Sequence, residues 1–295
     1  MRIALLGASG QVGFELRRAL APLGEVVVLN RTECDLSDRG ALCRVLVQLA
    51  PDAIVNAAAY TGVDDAETHR EVAFRINGEA PGVIGEAARE TGAFVVHYST
   101  DYVFSGDRDR AYREEDPTGP LNVYGESKRL GEVRLTESGA AFYLFRTAWV
   151  ISARGSNFLQ TILRLAAARD RLQVVSDQLG APTSAALIAD VTAHALHQRL
   201  SGRGSAEADG IYHLSASGSA SWFEVARYIV ETACGLGFDL RLAAEAIEPI
   251  RAAEYGQAAL RPSNSRLDTT RLTRQFDLTM PDWRDGIHWA LEQLR

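Results

Sequence analysis

The stretch from Arg2 to Asn30 narrows the fold more than any other part of this chain. A short apolar run, RIALLG, leads into Gly7, Gly10 and Gly13 in GxxGxxG spacing. Leu16, Ala19, Leu20 and Leu23 then recur at one-face helical spacing, Gly24 is placed to end that helix, and Glu25 to Asn30 forms a second strand. Glycine at these positions permits a tight turn, close approach of backbone to a pyrophosphate, and close packing of helix on strand. The helix N-terminus then offers unpaired N–H groups to phosphate oxygens. A strand, glycine turn, helix and strand in this order make a βαβ unit, and dinucleotide binding is the function such a unit most often serves.

The same rhythm continues. Leu42, Val45, Leu46 and Leu49 mark a second helix, DAIVNAAA a third strand, Val63 to Glu90 a long, partly broken helix, and Phe94 to Val96 a central strand. Phe142 to Trp149 is a further strand, and the alternation predicts an α/β fold with a doubly wound parallel sheet. Nicotinamide enzymes place an acid after the second strand for a ribose 2′-hydroxyl, or a base for a 2′-phosphate. Here Asn30 and Arg31 stand there, which favours NADPH, with NADH as the alternative. Asp35 and Leu36 are placed to frame the adenine, and Ala57 to Ala59, with Tyr60 and Thr61, to lie along the cofactor.

The chemistry is concentrated between Val95 and Lys128. The central strand opens into Ser99, Thr100 and Asp101, at the C-terminal strand end where open α/β sheets hold their ligands. Tyr124 and Lys128 are four residues apart, on one face of a helix. A phenol is mostly protonated at neutral pH, an adjacent ammonium lowers its pKa, and the pair makes a general acid/base. Between them, Gly106 to Pro120 reads as a mobile substrate loop.

Beyond Ile151 the rhythm changes. Residues 1–150 read as the dinucleotide-binding domain and 151–295 mainly as a smaller substrate-binding lobe, with some segments returning to the first domain. Asn157 to Ala168 is a helix, Thr183 or Ser184 caps another, Ser221 with Glu224 forms a capping box, and Trp283, Ile287, Ala290, Leu291 and Leu294 share one face of a last helix. Arg261 and Arg266, in an irregular stretch, are candidates to hold a diphosphate, since guanidinium groups pair bidentately with phosphate oxygens.

GASGQVG, VNAAAYTGVDDAE, HYSTDYVF, NVYGESK, RTAWV, DQLGAPT and RPSNSRL together resemble the dTDP-4-dehydrorhamnose reductases, members of the extended short-chain dehydrogenase/reductases. The resemblance spans nearly the whole chain. It implies a Rossmann-type domain with an interleaved C-terminal lobe, and reduction of the 4-keto group of dTDP-4-dehydro-L-rhamnose by NADPH or NADH in dTDP-rhamnose biosynthesis. It also implies that Thr100, Tyr124 and Lys128 are the catalytic trio, and that Asp101, Tyr102 and Trp149 line the sugar pocket. Gly10, Gln11, Val12, Asn30, Asp35, Leu36, Ala59, Tyr60, Thr61 and Tyr98 fall at cofactor-contacting positions, and Lys128 would also hold the nicotinamide ribose. Some of the family hold Mg²⁺ between two subunits, which points to Glu15 and Glu292 in a homodimer.

The rest of the sequence excludes more than it suggests. A formal charge of −7 argues against nucleic acid or anionic membrane as a partner. Cys34, Cys43 and Cys234 have no metal or disulfide spacing, so a reducing, cytoplasmic compartment fits best, and no apolar run reaches membrane-spanning length. Asp190, His194 and His197 share a helix face without a further ligand, and His97 reads as a core residue. Two rival functions remain: a related epimerase, dehydratase or deoxysugar reductase, and a non-catalytic regulatory subunit on the same fold.

Overall fold

The apolar runs are strands buried on both faces, the condition of a parallel sheet covered by helices on each side. The computed structural model describes residues 1–202 and 208–295. The first half runs β1 (Arg2–Leu6), α1 (Gln11–Leu20), β2 (Glu25–Leu29), α2 (Arg39–Leu49), β3 (Ala53–Asn56), α3 (Val63–Thr68), α4 (Arg70–Ala73), α5 (Ala80–Thr91), β4 (Phe94–Thr100), α6 (Val123–Glu137) and β5 (Phe142–Thr147). Then come β6 (Val150–Ile151), α7 (Phe158–Ala168), β7 (Leu172–Val175), β8 (Leu179–Gly180), β9 (Thr183–Ser184) and α8 (Ala185–Leu200). The chain continues with β10 (Gly210–His213), β11 (Ala220–Ser221), α9 (Trp222–Gly235), β12 (Ile247–Ile250), α10 (Ala252–Tyr255), α11 (Thr270–Phe276) and α12 (Trp283–Glu292).

Six strands form one sheet in the order β10-β5-β4-β3-β1-β2, and every pairing is parallel. Side chains of α1, α8 and α11 pack on one face, and those of α2 and α5 with Leu135 of α6 on the other. The doubly wound sheet expected from the alternation is therefore present. Three late elements belong to this domain: β10 extends the sheet beside β5, α8 lies against α1, and α11 packs on β10 and α8. The remaining late elements have a core of their own, in which α7, α9 and α12 meet around Ile162, Ile229, Trp283 and Ile287.

The helix expected between Val63 and Glu90 is broken, and the break has a cause. Phe74–Glu79 is a π-turn running into Pro81, which has no N–H to donate back to the carbonyl of Asn77. That carbonyl faces Gly131 of α6, where an added Cβ would lie 2.1 Å from it, so the two backbones are in direct contact.

The Gly106 to Pro120 segment is not the mobile loop expected. Tyr112 is buried and stacked on Phe104 with ring centroids 4.2 Å apart, and its N–H donates to Arg266 O at 2.8 Å. Asp116 accepts two bonds from Arg110, at 2.8 and 2.7 Å, and one from Arg113 N at 2.8 Å. The polar composition that reads as flexibility is used to pin the loop to itself and to the chain around Arg266. The capping expectations hold, with Ser184 capping α8 and Ser221 with Glu224 forming the box that starts α9, and Asn157, expected inside α7, caps it instead.

Candidate active site

The glycine turn after β1 is built from contacts that only hydrogen can make. Gly7 has φ +79°, and a Cβ on Gly13 would lie 2.0 Å from the Gly7 carbonyl, so α1 starts pressed against the turn. Beside it is a groove of about 180 Å³ lined by Gly7, Asn30, Arg31, Asp35, Leu36 and Ala59, all of which the sequence marks for cofactor. These residues fit an adenine dinucleotide: a backbone cradle at a helix N-terminus, then a pocket at the end of β2.

The charges at that pocket are more mixed than the sequence indicates. Arg31 is 81% exposed and lies 3.6 Å from Asp35. Asp35 is in turn held by the Ser37 N–H and hydroxyl, both at 2.8 Å, which keeps its carboxyl below the usual range. Glu33 supplies the carboxylate that Asn30 lacks: it doubles back to accept the Asn30 N–H at 2.8 Å.

Other expected cofactor residues have structural partners. The Gln11 side chain accepts from Asn157 Nδ2 at 2.8 Å and Ser152 Oγ at 3.1 Å, tying α1 to the second lobe. Val12 packs on the sheet core. Tyr98 points its hydroxyl into the protein, 2.8 Å from Thr192 Oγ1, so only its backbone faces the site. Thr61 is exposed, while the Tyr60 N–H and C=O are both held by the Asn77 side chain, at 2.8 and 2.9 Å. Asn77 also donates to Ser127 Oγ at 3.0 Å, joining the Tyr60 segment to the helix that carries Tyr124. Asn77 lies within the π-turn, and no spacing in the sequence singles it out.

The strand β4 delivers Thr100 and Asp101 to the sheet's C-terminal edge. Asn122 caps α6 by accepting from Gly125 N at 2.8 Å, and a Cβ on Gly125 would lie 2.2 Å from the Tyr102 carbonyl. That close approach sets Tyr124 against the turn that follows β4. Thr100 Oγ1 donates to Asp101 Oδ1 at 3.0 Å and lies within hydrogen-bonding reach of the Tyr124 phenol. Burial and the nearby Asp101 push that phenol up to about 12. Asp101 itself is pushed up to about 6 by burial, with the Ser265 hydroxyl as a partner, and its Oδ2 has no partner among the described residues.

Lys128 corrects one expectation. Its ammonium donates to Tyr98 O at 2.6 Å and faces His97, so it does not depress the Tyr124 phenol. The tyrosine is consequently a firmly protonated acid, the form required of a proton donor.

A second cleft, of about 860 Å³, opens between Tyr102 and the C-terminal lobe. Tyr102 packs edge-on to Tyr124 with centroids 5.9 Å apart, so this cleft and the acid share a wall. Arg261 lines the cleft, but its guanidinium is already engaged by Asp64 at 2.6 and 3.0 Å. Arg266 is not brought there: it bonds Asn264 Oδ1 at 2.9 Å and the carbonyl of Asp109, bracing the pinned loop. Trp149, expected as a sugar platform, has φ +49° and is stacked on Trp222 at 3.5 Å, and Trp222 is the ring that lines the cleft. Sequence reading missed Trp222, at the start of α9, and Arg169 and Arg171, in the turn between α7 and β7, where nothing in their spacing ties them to one site.

No metal set forms among the described residues. Glu15 lies beside Arg18 and Glu292 beside His288, each pair at 3.5 Å, and no group of three or more potential ligands is found among the described residues. The Asp190, His194 and His197 face is ordinary helix surface: Asp190 pairs with Arg18 at 2.9 Å and His194 with Phe276 O at 2.9 Å. No described helix is long and apolar enough to cross a membrane.

Residues 1–295 match the family model described as the RmlD substrate binding domain. The chain is 46% identical over 295 residues to the dTDP-4-dehydrorhamnose reductase of Burkholderia thailandensis, covering 100% of this chain and 99% of that one. It belongs to the dTDP-4-dehydrorhamnose reductase family. The reductase of Escherichia coli is 45% identical over 298 residues, covering 100% of this chain and 98% of that one. A reductase structure from Bacillus anthracis, in complex with NADP, superposes with a TM-score of 0.90 at 33% identity over 99% of each chain.

Proposed function

We propose that the chain reduces the 4-keto group of dTDP-4-dehydro-L-rhamnose with NAD(P)H, giving dTDP-L-rhamnose. One observation carries the reading: a half-buried, protonated Tyr124, beside the Thr100 hydroxyl, packs edge-on against Tyr102 of the larger cleft. The bound nicotinamide supplies a hydride to the ketone carbon. As the carbonyl pair withdraws onto oxygen, Thr100 donates a hydrogen bond to the growing charge and Tyr124 transfers its proton there. Asp101, with an oxygen uncommitted, accepts from a sugar hydroxyl, and Trp222 with Trp149 forms an aromatic wall for the sugar nucleotide. Arg261 and the exposed Arg169 and Arg171 supply positive charge for the diphosphate.

For the cofactor we infer a narrow preference for NADPH. The exposed Arg31 meets a 2′-phosphate, whereas Glu33 at the Asn30 N–H favours a 2′-hydroxyl, so both forms are accepted. Three free cysteines suit a reducing, cytoplasmic setting. The test is a steady-state assay of NADPH oxidation with dTDP-4-dehydro-L-rhamnose, with the product identified as dTDP-L-rhamnose. A chain that binds both ligands but oxidises no NADPH would leave the regulatory reading in its place.

A further inference from the structure

Asp64 and Glu67 stand three residues apart in the short helix α3, just after Tyr60 and Thr61, and neither takes part in the proton transfer assigned to Tyr124. That spacing puts them on one side of the helix. Asp64 reaches across to the segment at Arg261. Its Oδ1 accepts from Arg261 Nη1 and from the Ala259 N–H, both at 3.0 Å, and its Oδ2 accepts from Arg261 Nη2 at 2.6 Å. Arg261, helped by the Ala259 N–H, keeps the Asp64 carboxyl below its usual range. Glu67 reaches α6 instead: its Oε1 accepts the N–H of Val123, the residue before Tyr124, at 2.9 Å. Between the two carboxylates, Ala66 is buried against Val123 in a cluster on which Tyr124 packs.

One more bond closes these contacts into a ring. Asn122, the cap of α6, donates from Nδ2 to the Leu260 carbonyl at 2.7 Å. From Asp64 the ring runs along α3 to Glu67, across to Val123 and Asn122, across again to Leu260, and back through Ala259 and Arg261. The Leu260 side chain is 70% exposed, so at that point polar bonds to the backbone hold the segment and side-chain burial does not. Two groups that act on one substrate are fastened to this ring. Arg261 lines the sugar cleft within hydrogen-bonding reach of the Tyr102 hydroxyl, and Tyr102 packs edge-on to Tyr124. With both terminal nitrogens of Arg261 on Asp64, the plane of the guanidinium is fixed before a diphosphate meets it.

We propose that Asp64 and Glu67 are positioning residues of the reaction: α3 is a spacer that fixes Arg261, a contact for the diphosphate, relative to Tyr124, and so holds the keto oxygen within reach of the phenol. The inference rests on the readings of Tyr124 as proton donor and Arg261 as diphosphate contact. A displacement of ~1 Å at reacting atoms costs about 10²-fold in rate, so a loosened spacer acts on turnover before it acts on binding.

The test is steady-state kinetics, together with the binding of dTDP and of NADPH, each measured alone. Asp64→Ala and Glu67→Ala should each lower kcat by about 10-fold or more, while NADPH binds as in the parent and dTDP weakens by less than about 3-fold. Glu67→Gln keeps an oxygen for the Val123 N–H and should stay within about 3-fold of the parental kcat. The double variant Asp64→Ala/Glu67→Ala should be no slower than the slower single one, because one break already opens the ring, whereas two separate structural roles would multiply. Asp64→Asn keeps one acceptor oxygen and loses the second; it takes the place of Asp64→Ala, alone and in the double variant, if the alanine protein does not fold. The proposal is overturned by a parental kcat in a folded Asp64 variant, by multiplied effects in the double variant, by a Glu67→Gln protein as slow as Glu67→Ala, or by a loss of dTDP affinity as large as the loss of kcat. A parent that oxidises no NADPH with the dTDP-sugar sinks the reaction and the spacer together. A parent that loses turnover in Tyr124→Phe but keeps it in Asp64→Ala sinks the spacer alone.

Discussion

The proposed cofactor groove and the proposed sugar cleft are made in different ways. The cofactor groove is made largely of backbone: Gly7 in a left-handed conformation, Gly13 pressed on the Gly7 carbonyl, and the open start of α1. The sugar cleft is made of side chains from α7, β7, α9, β12 and the segment leading to Arg261. A site made of backbone needs glycine at fixed spacing and so leaves a mark in the sequence. A site made of side chains uses arginines and aromatics that elsewhere are ordinary surface or core residues, and its mark is partial: Tyr102 and Arg261 were singled out, Trp222, Arg169 and Arg171 were not.

The largest effect should come from the proposed acid, which packs on Tyr102 at the wall of the sugar cleft. Tyr124→Phe keeps the ring and its packing on Tyr102 but removes the proton, so turnover should fall by ~10²–10⁴-fold while both ligands still bind. Single-turnover hydride transfer at saturating NADPH and sugar nucleotide checks this, and near-parental rates would detach the acid from both clefts. Next, Trp222→Ala should raise the KM for the dTDP-sugar by about 10-fold with a smaller change in kcat, because it removes the aromatic wall and not the acid. If NADPH affinity fell instead, the two clefts would not be the separate units described above.

A smaller effect is expected from charge at the cofactor pocket. Arg31→Asp should shift the kcat/KM ratio toward NADH by about 10-fold, and Glu33→Gln should shift it toward NADPH by less, since Arg31 is largely exposed and screened. Equal ratios in all three proteins would show that neither side chain reads the 2′ position.

The smallest effect is on stability. Burial raises Asp101 from the ordinary 3.8 to about 6. Between those values the folded chain binds more protons than the unfolded one, so this residue's contribution to stability falls as pH rises through that window and stays low above it. Asp101→Asn has no proton to lose. It should be more stable than the parent at about pH 7.5, by about 1–3 kcal/mol, with the gap closing near pH 4 in denaturant titrations. A gap that is the same at both pH values would mean that Asp101 does not titrate in this window.

The sequence by itself determined the sheet and its winding, and marked the glycine turn beside the proposed cofactor groove. Strand and helix periods are local, and the glycine turn, the cap at Ser184 and the box at Ser221 and Glu224 act within a few residues. Tyr124 and Lys128 were legible for the same reason, being one turn apart on α6. Tertiary structure alone decided which partner each of them meets. Lys128 turned to Tyr98 and His97 instead of the phenol, Arg266 to the pinned loop, and Trp149 to Trp222. It also returned β10 to the sheet beside β5 and brought the Glu33 carboxylate back onto Asn30. Side-chain direction at each of these points is set by burial and by contacts between elements far apart in the chain, and residue spacing carries no record of those contacts.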